Sequence, residues 1–113
     1  MRELSSIQML EELLAESAAA PVLLFKHSTR CPISAAALRR AEEWLAARGD
    51  AAPAAGLIKV VENRPLSQEA AARLQVTHQS PQAIVLRNGA ALWNASHGGI
   101  TAQALETAFP KAG

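Results

Sequence analysis

Apolar positions recur along the chain in blocks, and their period changes from one block to the next. Between residues 5 and 18, Ile7, Leu10 and Leu14, with Leu13 alongside, stand three and four apart, the spacing of one helix face. Pro21 ends the alanine-rich tail of that helix. Val22-Leu23-Leu24-Phe25 is an unbroken apolar run, too short for a helix and suited to a strand buried on both faces. Lys26 to Arg30 is polar, and a second helix opens at Cys31-Pro32, where proline is favoured because its missing donor would be unsatisfied anyway. Leu38, Ala41 and Leu45, with Trp44 beside them, carry one face of this helix to a stop at Gly49. After a loop over residues 50–56, Leu57-Ile58-Lys59-Val60-Val61 predicts a second strand. A third helix opens at Leu66-Ser67, with Ser67 as N-cap and Glu69 near its positive end, carries Ala71 and Leu74, and ends near Val76. Ala83-Ile84-Val85-Leu86 and Ala91-Leu92-Trp93 flank Asn88-Gly89, the strongest short-range hairpin signal. Gly98-Gly99 precedes a last helix capped by Thr101 and containing Ala104, Leu105 and Phe109.

The predicted order is therefore helix, strand, helix, strand, helix, strand, strand, helix. The βαβ portion requires parallel strands with a right-handed crossover, and the closing hairpin must be antiparallel. A four-stranded mixed sheet with helices on both faces meets both requirements. Order, length and hairpin together describe an α/β thioredoxin-like fold, with residues 1–113 forming a single domain of ordinary size.

Composition adds mainly exclusions. Half of the 113 residues are apolar, and the formal net charge of +1 argues against nucleic acid as a partner. No run of like charges suggests an interaction tail. Glu3, Glu11, Glu12 and Glu16 interrupt what a secretory signal would need as an apolar stretch. No segment approaches the roughly 18 to 20 apolar residues that span a bilayer. A cytoplasmic protein without a membrane partner is the expectation. His27, His78 and His97 do not lie at metal-ligand spacing, and no metal is expected.

Cys31 is the one cysteine, so an intramolecular disulfide is impossible. By default a lone cysteine is a small buried hydrophobe. Its place changes that reading: it follows a buried strand directly and opens a helix, where free N–H groups and the macrodipole favour an anion. The thiolate is the nucleophilic form of cysteine, and Arg30 next to it adds positive potential. In Cys31-Pro32-Ile33-Ser34, Ser34 stands where a Cys-x-x-Cys site has its resolving thiol. A serine can hydrogen-bond to the Cys31 sulfur but cannot form a disulfide with it, so a mixed disulfide at Cys31 must be resolved by another molecule's thiol. Ser80-Pro81 falls immediately before the third strand, the place of the cis-proline that lies against the active-site cysteine in thioredoxin-like proteins.

Thr29-x-Cys31-Pro32-Ile33-Ser34, His78-x-Ser80-Pro81-Gln82, and Trp93-x-x-Ser96-His97 with Ile100-Thr101 resemble the monothiol bacilliredoxins of the YtxJ type over essentially the whole chain. The resemblance implies a thiol-disulfide oxidoreductase that removes bacillithiol, a cysteinyl-glucosaminyl-malate thiol, from protein mixed disulfides. Bacillithiol would be a thiol co-substrate and bacillithiolated proteins the clients, with no bound cofactor. One departure is visible: Gly98-Gly99 follows the Ser-His pair where the family pattern leads one to expect a bulky aromatic. It bears on thiol recognition and leaves the thiol chemistry intact.

Cys31 is thus the catalytic candidate, with Thr29, Pro32, Ile33, Ser34 and Pro81 as its motif. Arg30, Ser80, His97, Gly98 and Gly99 are candidates for binding the substrate thiol. The two glycines admit a plain turn equally well, and His97 a surface role. Lys26 and Arg64 are possible carboxylate partners, His27 lies near Cys31 in sequence, and His78 is expected to cap the preceding helix. Trp44 and Trp93 are read as packing residues. Two other functions fit the same residues. One is a glutaredoxin-type monothiol protein, although Pro32 and Ile33 replace the Gly-Phe of the cluster-carrying signature. The other is a redox-sensing or adaptor domain whose cysteine is modified without passing anything on.

Overall fold

Val22–His27 forms the central strand (β2), buried along its whole length. The computed structural model describes residues 1–109. Alternate side chains of β2 enter two separate cores, Val22 and Leu24 on one side of the sheet and Leu23 and Phe25 on the other. That division explains the unbroken apolar run, because each face of the strand is covered by helices.

The chain opens with a short strand, Arg2–Glu3 (β1), and a helix, Ile7–Glu16 (α1), capped by Ser6, whose hydroxyl accepts the Met9 N–H at 3.2 Å. After β2 comes the longest helix, Pro32–Arg48 (α2), then Ala55–Lys59 (β3) and Arg64–Leu74 (α3). The strands Gln82–Arg87 (β4) and Ala90–Ser96 (β5) and the helix Ala102–Ala108 (α4) complete it. The sheet order is β1-β3-β2-β4-β5. β1, β3 and β2 are parallel, and β4 is antiparallel to both β2 and β5. Hence β5 runs in the direction of β2 and ends at the same edge of the sheet.

α1 and α3 cover one face, with Leu10, Leu13, Leu66, Ala70 and Leu74 against Leu24, Ile58 and Ile84. α2 and α4 cover the other, with Ala37, Ala41, Trp44 and Leu105 against Phe25 and Val85. Trp44 stacks on Phe109 with centroids 5.1 Å apart, which makes it a core residue. Trp93 packs at the margin of the same cluster. Gly56 of β3 lies under α1, where an added Cβ would stand 2.9 Å from Leu13 Cδ2 and 3.0 Å from Leu4 Cδ1. Asn88 and Gly89 both take positive φ, 54° and 73°, as the tight hairpin turn requires.

The thioredoxin-like mixed sheet is present, with five strands where four were expected. The added strand, β1, pairs Arg2 and Glu3 with Gly56 and Leu57, and the Leu4 N–H donates to Leu57 O at 2.7 Å. Two exposed charged residues carry no strand periodicity, and the pairing becomes visible only once Leu4 is seen buried beside α1. β3 begins at Ala55, two residues before the expected start, because its ladder follows β2 from Leu23–Ala55 to His27–Lys59. Ser67 is not an N-cap. Asn63 holds that place, and Pro65 lies in the first turn of α3, where its preset φ suits a helix start. Ser67 is instead a buried residue within that helix.

Candidate active site

β2 ends at His27, and Ser28, Thr29 and Arg30 turn the chain into α2. Cys31 is the N-cap of α2, extended at φ −116° and ψ 118°. Its N–H donates to Ser28 O at 3.3 Å and its carbonyl accepts from the Ala35 N–H at 3.0 Å. Pro32 occupies the first helical position. No side-chain capping bond involves Cys31, and the residue is half-exposed. The thiol therefore stands at a helix start, open to a second molecule.

Ser34, one turn into α2, is completely buried. Its hydroxyl accepts the Ser28 N–H at 3.0 Å and lies 2.7 Å from His27 Nδ1. A serine here could have bonded to the Cys31 sulfur, but the Ser34 oxygen is engaged with the end of β2. Burial holds the His27 imidazole below its ordinary pKa, assisted by Lys59 and opposed by Glu62 and Glu42. A neutral imidazole offers one acceptor nitrogen, and the Ser34 O–H, not needed for Ser28, donates to it. The network thus fastens strand end to helix start beneath Cys31.

The other motif residues line the same edge. The Thr29 hydroxyl donates to Glu62 Oε2 at 2.7 Å, and this bond is the main cause that keeps the Glu62 carboxyl below its usual range. Arg30 is exposed, and Ile33 projects with 59% of its surface accessible. The Ser80–Pro81 peptide is cis. One step beyond the Lys26–Gln82 pair, the antiparallel register puts Pro81 beside His27. The Pro81 carbonyl accepts the His97 N–H at 3.1 Å. His27, Pro81 and His97 therefore follow one another across the sheet edge from which the Cys31 loop departs. Among the described residues, the buried Ser80 hydroxyl has no hydrogen-bond partner.

His97, Gly98 and Gly99 form a short 3-10 turn. The left-handed residue is His97, at φ 52°, and neither glycine has positive φ. A Cβ at Gly98 would meet nothing within 4 Å, and one at Gly99 would make an ordinary 3.6 Å contact with Ala95. Arg40 of α2 holds this turn, donating to Ile100 O at 2.7 Å and His97 O at 3.2 Å. Sequence reasoning missed that clamp, since nothing local marks Arg40.

A second feature was only half visible in the sequence. Lys26 continues the Val22–Leu24 side of β2 and has no accessible surface. Its Nζ lies 3.1 Å from His78 Nδ1, and Ser67 Oγ is 3.3 Å from the same nitrogen. His78 thus does not cap α3. That helix ends at Leu74 with Gln75 left-handed, and the Gln75 N–H serves the last carbonyls. Gln82 beside Lys26 is also buried and donates to Thr77 O at 3.1 Å. The apolar run places the strand end at Phe25 and Lys26 in the polar segment after it; β2 continues two residues further, to His27, and that extension is what buries Lys26.

Other features lie away from this edge. A cavity of about 770 Å³ opens at the opposite end of the sheet, near Pro21, Val22, Arg87 and Phe109. Among the described residues, no group of three His, Cys, Asp or Glu side chains is placed to hold a metal ion, and no helix is long and apolar enough to cross a membrane.

Comparison with known proteins agrees with this arrangement. A solved structure described as a candidate oxidoreductase with a thioredoxin fold is 36% identical, with a TM-score of 0.85 over 95% of this chain and 91% of that one. Thioredoxin from Fasciola hepatica is 18% identical at TM-score 0.69, covering 95% and 92% of the two chains. Mitochondrial thioredoxin 3 from Saccharomyces cerevisiae is 14% identical at 0.74, covering 96% and 92%. These two share the fold. The family described as monothiol bacilliredoxin BrxC matches residues 2–105. With one cysteine, set at the start of α2 in a thioredoxin fold, this chain belongs to the monothiol bacilliredoxin BrxC family.

Proposed function

We propose that this protein is a cytoplasmic thiol-disulfide oxidoreductase that removes bacillithiol from protein mixed disulfides through Cys31. The observation that carries the reading is Cys31 itself, half-exposed at the N-cap of α2, with the buried Ser34 hydroxyl in the resolving position. The Cys31 thiolate attacks the bacillithiol sulfur of a client–S–S–bacillithiol disulfide. A Cys31–bacillithiol disulfide forms, the client disulfide breaks, and the client thiolate leaves and takes up a proton from solvent. A second low-molecular-weight thiolate then attacks the bacillithiol sulfur of the adduct. Cys31 is released as thiolate and the two small thiols depart as a disulfide. Family membership supports bacillithiol as the exchanged thiol. No metal, flavin or nucleic acid takes part in this cycle.

The test uses reduced protein and a bacillithiolated client followed by intact mass. The expected result is gain of one bacillithiol on Cys31 with equimolar release of reduced client. Absence of transfer, or full transfer by Cys31→Ser, overturns the reading.

A further inference from the structure

We propose that the pocket between the first turn of α3 and the 75–81 loop, lined by Arg64, Ser67 and His78 above the buried Lys26, binds the carboxylate end of the small thiol exchanged at Cys31. This rests on the thiol-exchange reading above. The pocket encloses about 230 Å³, with Val60 and Val61 as an apolar wall and Gln68 at its margin.

Three observations support it. First, basic groups converge there without an acid to balance them. Lys26 Nζ lies against His78, and Arg64 is close enough that both cations disfavour charge on His78. Among the described residues, none of Lys26, Arg64 and His78 forms an ion pair. The near carboxylate, Glu62, accepts from Thr29, and Lys59 pairs with Glu3 at 3.2 Å. A fully buried ammonium without a counter-charge is costly, and a bound anion removes that cost. Second, the polar atoms suit a carboxylate. The guanidinium presents a planar fork, and His78, with Nδ1 facing Lys26 and the Ser67 hydroxyl, leaves Nε2–H free to donate. The Asn63 side chain makes no capping bond, so the first N–H groups of α3 add to the same positive end. Third, the pocket adjoins the nucleophile's loop. The Val60 N–H donates to His27 O at 2.9 Å, and Thr29, two residues before Cys31, bonds to Glu62 beside Val61.

A thiol carrying a dicarboxylate, as the malyl group of bacillithiol does, would place sulfur at Cys31 and carboxylate against Arg64 and His78. The test compares one client protein blocked either with bacillithiol or with cysteamine, which has no carboxylate. Arg64→Gln and His78→Gln, both at exposed positions, should raise KM for the bacillithiol adduct roughly tenfold or more beyond any rise for the cysteamine adduct, with kcat changed little. L-malate titrated into the protein should shift the backbone amide signals of residues 60–68 and of His78. Equal losses on both adducts would mean that the pocket holds an acidic group of the client, and would overturn the proposal. So would variants with unaltered KM while Cys31 still accepts bacillithiol, an outcome that leaves the exchange reading standing. If the wild-type protein accepts no bacillithiol, the exchange reading fails. The malate titration then decides the pocket alone, shifts supporting a carboxylate site and their absence overturning it.

Discussion

The Ser34 hydroxyl lies 2.7 Å from His27 Nδ1, a bond that ties the first turn of α2 to the last residue of β2. The residue in the resolving position therefore faces into the fold. Replacing Ser34 with alanine would leave the Ser28 N–H and the His27 nitrogen without partners inside the protein. The expected loss is about 1–3 kcal/mol in urea denaturation, the usual penalty for an orphaned buried group. A loss below about 0.5 kcal/mol would show that the bond contributes little.

His27 also makes stability depend on pH. Burial lowers its folded pKa from the ordinary 6.5, so the unfolded chain takes up a proton first on acidification. Stability is full above about 6.5 and falls as pH drops from there toward the folded value. His78 acts in the same direction, lowered by the partial desolvation of its ring and then by Lys26 and Arg64. In His27→Asn the decline in unfolding free energy between about pH 7 and about pH 5 should be shallower than in the wild type. An unchanged slope would assign the acid sensitivity elsewhere.

Lys26 works at the alkaline end. Its burial brings the ammonium pKa from 10.5 down to about 8. Between these values the unfolded chain holds a proton that the folded protein releases, so its contribution to stability rises with pH across that interval and is unfavourable below it. Lys26→Met, which keeps the stem and removes the amine, should gain stability at neutral pH by up to about 3 kcal/mol, at 1.4 kcal/mol per pH unit. The gain should shrink as pH approaches 10.5, and chemical denaturation across that range measures it. A constant gain at all pH values would mean that packing, and not charge, accounts for it.

Ile33 stands two residues from the nucleophile with 59% of its surface exposed. An apolar side chain there suits the flank of a client's modified cysteine. Burying it on docking is worth roughly 1–2 kcal/mol. Ile33→Ser should lower kcat/KM for a protein mixed disulfide by roughly 5- to 30-fold, and far less for a small disulfide. Equal effects on both would place Ile33 in shaping the helix start.

Gly56 sets how closely α1 lies on β3. Its missing side chain leaves room for Leu13 and Leu4, which a Cβ would approach to 2.9 and 3.0 Å. Gly56→Ala should destabilise the fold by about 1–3 kcal/mol through overpacking, read as a lower thermal midpoint. Leu13→Ala in the same chain should recover part of the alanine strain, and simple additivity of the two losses would contradict this origin.

Much of this architecture was legible from period and punctuation. Val22 to Phe25, Asn88-Gly89 and the Pro32 helix start each carried their own local cause, and each element formed where that cause lay. The elements misread were those whose cause is distant. Arg2 and Glu3 become a strand because β3 offers an edge and Leu4 a buried anchor. Ser67 has an N-cap's chemistry, but Pro65 starts the helix earlier and His78 takes its hydroxyl. At the site, Cys31 was readable because its signal is position along the chain. The Lys26–His78 contact spans 52 residues and the Arg40 clamp on His97 spans 57, and no spacing rule reaches across such separations.

Ser34, buried and bonded within the fold, also decides what kind of clock Cys31 runs on. A two-thiol protein discharges its mixed disulfide by an internal step of first order, at a pace indifferent to what is dissolved around it. With one cysteine, the corresponding step in the proposed cycle is second order, and its pace would scale with the concentration of free small thiols. Under the exchange cycle proposed above, the fraction of Cys31 held as adduct would rise as that pool is drained, and the protein would serve as a gauge of the pool as well as a catalyst acting on it.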